Sequence, residues 1–261
     1  MNLIRVYFMT FRKYQPLLKE LVKRDITIRY RHSVLGLLWT ILNPLLMMIV
    51  MSVVFSTLFT NTIENFPVYV MIGNVVFNCN SEATNRGLNS ILWNASLIKK
   101  VYIPKYLFPL ATVASSLINF GFSFIALILV MLFTGAEFHP TLITAWIPLL
   151  YLIIFSLGCS LILCSINVFF RDTEHLYNVF TTIWMYLSAV FYSTDILPKG
   201  VDTVVYYNPL YQFITFFRKI IMDGVFPNLQ TNLLCASYSI IALILGLIVF
   251  YKLQDKFILH I

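Results

Sequence analysis

Four histidines and eleven carboxylates are the whole acid–base inventory of this 261-residue chain. His32, His139, His175 and His260 are scattered and form no HExxH pair, the spacing that sets two imidazoles on one helix face for zinc. Asp172 and Glu174 share a short segment with no nucleophile or metal ligand beside them. Cys79, Cys159, Cys164 and Cys235 lie in apolar or near-apolar stretches, make no CxxC pair, and read as small packed side chains. No G-x-x-x-x-G-K-S/T phosphate loop is present, so this chain is not expected to bind and hydrolyse ATP itself. No catalytic or metal-ligating residue is assigned.

The charged pair with the clearest spacing is Glu82 and Arg86, four residues apart in the second candidate span. At membrane depth such a pair is functional by default. At the membrane surface it would simply pair and snorkel. Asn74, Asn78, Asn80, Thr84, Asn85 and Asn89 surround it and give the segment a polar seam. That seam suits hydrogen bonds between helices or the wall of a water-filled path.

Aromatic residues are 16% of the chain, with 23 Phe and 15 Tyr. Many will form membrane-interface belts. An aromatic wall has a second use, because a sugar ring presents a flat C–H face that an aromatic ring can pack against. Trp39, Trp184, Tyr186, Phe191 and Tyr192 are the candidates for a path that passes a sugar chain.

The elements that must position these residues follow from composition. Hydrophobic residues are 59% and charged residues 11%, with a mean hydropathy of +0.83. A soluble domain carries about 25% charged residues, so this chain could not cover a water-facing surface. A crossing helix needs ~20 mostly apolar residues. Six runs qualify: Leu37 to Phe59, one starting near Phe66 that turns polar after Cys79, Leu107 to Phe133, Trp146 to Phe170, the short Leu176 to Tyr192, and Leu233 to Tyr251. They are continuous rather than alternating, which favours helices over a barrel. No internal repeat is detectable.

The net charge of +7 is unevenly placed. Eight of the 18 Lys and Arg precede residue 32, and long apolar runs follow them, which argues for a membrane surface and against nucleic acid. Fourteen basic residues fall on one side of the spans, and only Lys199, Arg218 and Lys219 on the other. The basic side is cytoplasmic. The first 36 residues are too charged for a secretory h-region. Within them Tyr14, Leu17, Leu18, Leu21 and Val22 recur at helical spacing, opposite Lys19, Glu20, Lys23 and Arg24. Residues 14–31 therefore read as an amphipathic helix lying on the membrane surface. Ser193 to Thr231 is too rich in Tyr, Phe, Ile and Val for a solvated loop. Stretches such as Tyr211–Met222 read as short re-entrant helices.

The expected fold is an all-α integral membrane protein with six transmembrane helices, an N-terminal amphipathic interfacial helix and short re-entrant helices between spans five and six. Residues 1–36 form the cytoplasmic N-terminal region and residues 37–261 the six-helix domain. Both termini are expected in the cytoplasm.

From Leu21 to Leu45 the chain reads LVKRDITIRYRHSVLGLLWTILNPL. The pattern R-D-x-x-x-R-Y-x-x-S-x-L-G-x-x-W-x-x-x-x-P, from Arg24 to Pro44, resembles the membrane subunit of type 2 ABC exporters for cell-surface polysaccharides. LIKKVYIPK (Leu97 to Lys105), NVFFRD (Asn167 to Asp172) and NPL (Asn208 to Leu210), followed by Phe217 and Arg218, resemble it too. The resemblance implies a homodimer in the inner membrane, working with two copies of a separate ATP-binding subunit that carries the ATP and magnesium. It implies a lipid-linked polysaccharide as cargo, O-antigen first, with capsule or teichoic acid as alternatives.

A short helix between spans two and three couples to the ATPase in that family. It maps to Lys99, Lys100, Tyr102, Pro104 and Lys105. The external gate maps to Asn208, Pro209, Phe217 and Arg218. The family's lipid carrier bears a diphosphate, and Arg24, Arg29 and Arg31 lie at headgroup level to meet it. A reading from another class, an intramembrane enzyme acting on a lipid carrier, would need Glu82, Asp172 or Glu174 as acid or base.

Overall fold

The computed structural model describes residues 3–30, 35–59, 63–194, 197–198 and 200–261. Every described element is helical. Helix α1 (Leu3–Tyr30) is followed by a single 3-10 turn and α2 (Trp39–Phe59). Then come α3 (Phe66–Trp93), the six-residue α4 (Ala95–Lys100), α5 (Leu107–Thr134) and α6 (Trp146–Phe169). Helices α7 (Thr173–Leu187), α8 (Val201–Tyr206), α9 (Pro209–Ile221) and α10 (Leu229–Leu253) complete the chain, with a 3-10 turn over Gln254–Leu259.

Among the described residues, four helical stretches are long and apolar enough to cross a membrane: Gly36–Val54, Leu107–Thr134, Pro140–Phe169 and Leu229–Leu259. The other two expected runs differ for separate reasons. Helix α3 continues unbroken through the polar stretch after Cys79 and reaches Trp93, 28 residues or about 42 Å in all. The run read as Leu176 to Tyr192 is helical only to Leu187. Ala189 there adopts a left-handed φ of 48°, which costs an L-residue about 1–2 kcal/mol and ends the helix.

Close backbone approach explains how α6 and α10 pair. A Cβ on Gly158 would lie 2.3 Å from the Ala242 carbonyl carbon, and one on Gly246 would lie 2.5 Å from the Gly158 oxygen. Ala242 and Gly246 are one helical turn apart, so small residues alone let the two helices meet. A Cβ on Gly87 of α3 would likewise lie 2.6 Å from the Ser160 side chain of α6. Within α2, Pro44 has no N–H for the Thr40 carbonyl. Ser123 of α5 reaches that carbonyl at 3.4 Å.

Helix α3 is the central element and touches α2, α5, α6, α7 and α9. Two cores form at its two ends. One joins Phe66, Met71 and Phe77 to Phe155, Phe213 and Phe217, and so gathers in α9. The other joins Leu21, Ile91, Ile98, Phe108, Cys164 and Phe257. It brings α1, α4 and the C-terminal turn to the opposite end. The apolar face of α1, with Tyr14, Leu17, Leu18, Leu21 and Val22, packs there, while Lys19, Glu20 and Lys23 stay exposed.

Candidate functional site

Helix α1 carries Arg24, Asp25, Ile28 and Arg29 on one face, and α3 carries Asn78, Ser81, Glu82, Asn85 and Arg86 on another. Both sets repeat at three- and four-residue steps, so each forms a stripe. The two stripes face each other across a cavity of about 1070 Å³, closed by Trp39, Thr40 and Asn43 of α2 and by Asn119 and Ser123 of α5.

A charge network crosses this cavity. Arg29 pairs with Glu82. Arg86 stands 3.9 Å from Asp25 and 3.9 Å from Glu82. Arg24 lies 3.1 Å from Asp25 and donates to the Asn94 side-chain oxygen at 2.8 Å. Asn119 donates to Glu82 at 2.6 Å. Three guanidinium groups thus meet two carboxylates, which leaves an excess positive charge. The carboxylates are the more covered partners: Arg24 keeps 43% of its side chain exposed and Asp25 only 11%. A guanidinium fork at such a place suits phosphate oxygens better than an ammonium would.

The opposite side of α3 is occupied differently. Ser156 donates to Asn80 at 2.8 Å, Tyr177 to Thr84 at 2.7 Å, and Asn167 to Asn89 at 3.0 Å. The polar residues of α3 therefore divide. Asn80, Thr84 and Asn89 bond neighbouring helices, while Asn78, Glu82, Asn85 and Arg86 line the cavity.

Of the sequence candidates, Arg24, Arg29, Glu82, Arg86 and Trp39 come together here, and Arg31 lies outside the described residues. The other aromatics gather around the end of α7. Trp184 donates to Asn208 at 2.8 Å and Tyr192 to the Tyr186 carbonyl at 2.5 Å. Phe191 is buried and Tyr186 exposed. Asp25, Asn94 and Asn119 were not singled out from the sequence. Asp25 is held by Arg24 and Arg86.

At the same end as the cavity, Ile98 and Ile103 anchor α4 and the segment after it to the core. Lys99 and Lys100 are exposed, and Tyr102 is 94% exposed. Pro104 is half-buried. Lys105 turns inward and donates to the Gln254 carbonyl at 2.5 Å, beside the Phe257 ring. Partial burial holds its ammonium below the usual lysine range, although Asp255 pulls the other way.

At the far end, Asn208 caps α9 by accepting from the Leu210 N–H at 3.0 Å, with Pro209 beginning the helix. Its amide donates to the Leu187 carbonyl at 3.0 Å, which ties α9 to the end of α7. Phe217 packs against Phe120 with ring centroids 6.0 Å apart. Arg218 is buried and donates to the carbonyls of Ala189 at 3.1 Å, Val190 at 2.9 Å and Tyr69 at 3.3 Å. Its guanidinium also sits 3.4 Å over the Tyr69 ring.

A family model for ABC-2 type transporters matches residues 16–222, a span that holds the cavity, the α4 segment and α9. The chain belongs to the ABC-2 type transporter family. Family members are membrane components of transporters. The chain is similar to the O-antigen export system permease protein RfbA of Klebsiella pneumoniae, at 30% identity over 92% of this chain and 93% of the relative. The Myxococcus xanthus protein of the same name is 29% identical over 94% and 95%. The polysialic acid transport protein KpsM of Escherichia coli is 23% identical over 91% and 93%.

Proposed function

We propose that this chain is the membrane-spanning subunit of an ATP-driven exporter of lipid-linked polysaccharide, with O-antigen the favoured cargo. The observation that carries the reading is the cavity with an excess arginine charge, at the same end of the bundle as the exposed Lys99–Tyr102 surface. The relatives with the higher identities are O-antigen export permeases, and KpsM handles a polysialic acid.

In this reading the chain crosses the inner membrane six times. Helices α3 and α7 supply the two crossings beyond the four apolar stretches. Helix α7 is about 22 Å long against a hydrocarbon core of ~30 Å, so the segment after Leu187 completes it. Helices α8 and α9 enter and leave the outer leaflet without crossing. Helix α1 lies along the cytoplasmic surface, and both termini are cytoplasmic, as the basic residues favour.

The transporter is a homodimer with two ATP-binding subunits, which hold the ATP and magnesium. Apolar faces of α2 (Leu46, Ile49, Val50, Val53) and α7 (Val179, Ile183) are exposed in the single chain and suit contact with a second copy or lipid. Lys99, Lys100, Tyr102 and Pro104 form the docking surface for the ATPase, and Lys105 braces it from within. Arg24 and Arg29, with Arg31, receive the carrier diphosphate at the cytoplasmic face. Asn208, Pro209, Phe217 and Arg218 hold the external gate.

The test is ATP hydrolysis by the purified complex of this chain and its ATPase in lipid nanodiscs, with and without a polyprenyl diphosphate. The expected result is stimulation that the ATPase alone does not show. Equal rates with and without the lipid would remove the cavity from substrate recognition.

A further inference from the structure

A second cavity of about 1110 Å³ lies at the other end of α3, between the starts of α3 and α9's C-terminal half. Tyr69 at its edge is nine residues, or about 14 Å of helix, from Asn78 in the charged cavity. The two sites are therefore distinct. Its walls are fixed. Thr141 donates to the Ile220 carbonyl at 2.7 Å, and the His139 ring nitrogen lies 3.1 Å from the Met222 carbonyl. These bonds tie the segment after α5 to the end of α9.

The ionic lining has the opposite sign to that of the first cavity. Glu64, Glu137 and Asp223 are exposed in it, against Lys219 as the one accessible side-chain cation among the described lining residues. Arg218 also borders the cavity, but it is buried, with its guanidinium engaged by three carbonyls and the Tyr69 ring. Carboxylates without a surplus of cations accept hydrogen bonds from hydroxyls and repel anions. The half-buried ring of Tyr211, beside Thr194, supplies an aromatic surface in the same wall. Hydroxyl acceptors with one aromatic face match a sugar ring, with its equatorial hydroxyls and flat C–H face.

We propose that this cavity is a saccharide-binding site that takes neutral, hydroxyl-bearing sugar units and disfavours acidic ones. The inference rests on the export reading above and extends it to the cargo: the glycan moved by this protein has a neutral repeat. Sugar units engage the site after passing the membrane, and their binding there opposes backward slippage of the polymer.

Calorimetry on the nanodisc complex tests this with two probes, maltoheptaose as the neutral glycan and an oligomer of sialic acid as the acidic one. Maltoheptaose is expected to bind at least about tenfold more tightly than the acidic oligomer, and Tyr211→Ala to weaken it about tenfold. The double change Glu137→Lys and Asp223→Lys, at exposed positions, is expected to reverse the preference. Equal binding of the two probes, or neutral binding unchanged in both variants, would overturn the proposal. The response of the wild-type complex to polyprenyl diphosphate is read on the same preparation. If that response is intact while maltoheptaose does not bind, the saccharide site alone fails. If the response is also missing, the export reading fails with it.

Discussion

Arg29 of α1 pairs with Glu82 of α3 across 53 residues of sequence, and this contact joins two walls of the charged cavity. Glu82 also accepts from Asn119 and faces Arg86, so with Asp25 it partly neutralises the surrounding guanidinium groups. On the proposed export reading, an incoming carrier diphosphate competes with Glu82 for the same donors.

That competition fixes the sign of two substitutions. Glu82→Gln keeps the shape and the Asn119 contact but releases Arg29 and Arg86, and should tighten polyprenyl diphosphate binding several-fold. Arg29→Ala should weaken it about tenfold, the scale of one charge-assisted contact at a partly exposed site. Titration of ATPase stimulation with the lipid reads both. Movement of the two variants in the same direction would contradict the competition.

Arg218 sets the shape of the far end. Arg218→Met leaves the carbonyls of Ala189, Val190 and Tyr69 without their donor, at about 1–3 kcal/mol for each one that finds no other. A lower unfolding temperature and faster hydrogen exchange over residues 187–191 are expected. Arg218→Lys should recover only part of the loss, because one ammonium cannot reproduce the planar fork.

The α6–α10 seam tolerates no added side chain. Gly158→Val would push into the backbone of Ala242, and a loss of about 1–3 kcal/mol is expected from overpacking. Thermal unfolding in detergent measures it. An unchanged midpoint would contradict a seam in which a Cβ on Gly158 would lie 2.3 Å from the Ala242 carbonyl carbon.

Tyr102 is the reverse case. With 94% of its surface exposed, Tyr102→Ala should change stability by less than about 0.5 kcal/mol. In the complex it should separate ATP hydrolysis from glycan transport, because the ring sits on the proposed docking surface. Parallel measurement of hydrolysis and flux separates this from a folding defect.

Much of the fold was legible because a lipid environment leaves few options: continuous apolar runs read directly as α2, α5, α6 and α10. The face of α3 was not legible. Asn80, Thr84 and Asn89 look like Asn78 and Asn85 in the sequence, and only the positions of Ser156, Tyr177 and Asn167 separate the side chains bonded to other helices from those that line the cavity and bond within α3. The end of α7 was hidden for a similar reason. No Gly or Pro marks the stop at Leu187; the left-handed turn falls on Ala189, and the capture of the Ala189 and Val190 carbonyls by Arg218, 29 and 28 residues later, accompanies it. Glu82 and Arg86 stand out by charge and spacing, and Arg24 and Arg29 as headgroup-level cations for the carrier diphosphate that the family resemblance implies. Their meeting in one cavity depends on how α1 lies across α3, which periodicity does not encode.

The most direct test is the flux of lipid-linked polysaccharide across vesicles holding this chain and its ATP-binding partner. The expected result is ATP-dependent transport that requires both proteins and falls at least about tenfold when Arg24 and Arg29 are both replaced by alanine. Transport by this chain without the partner, or wild-type flux in the double variant, would contradict the account.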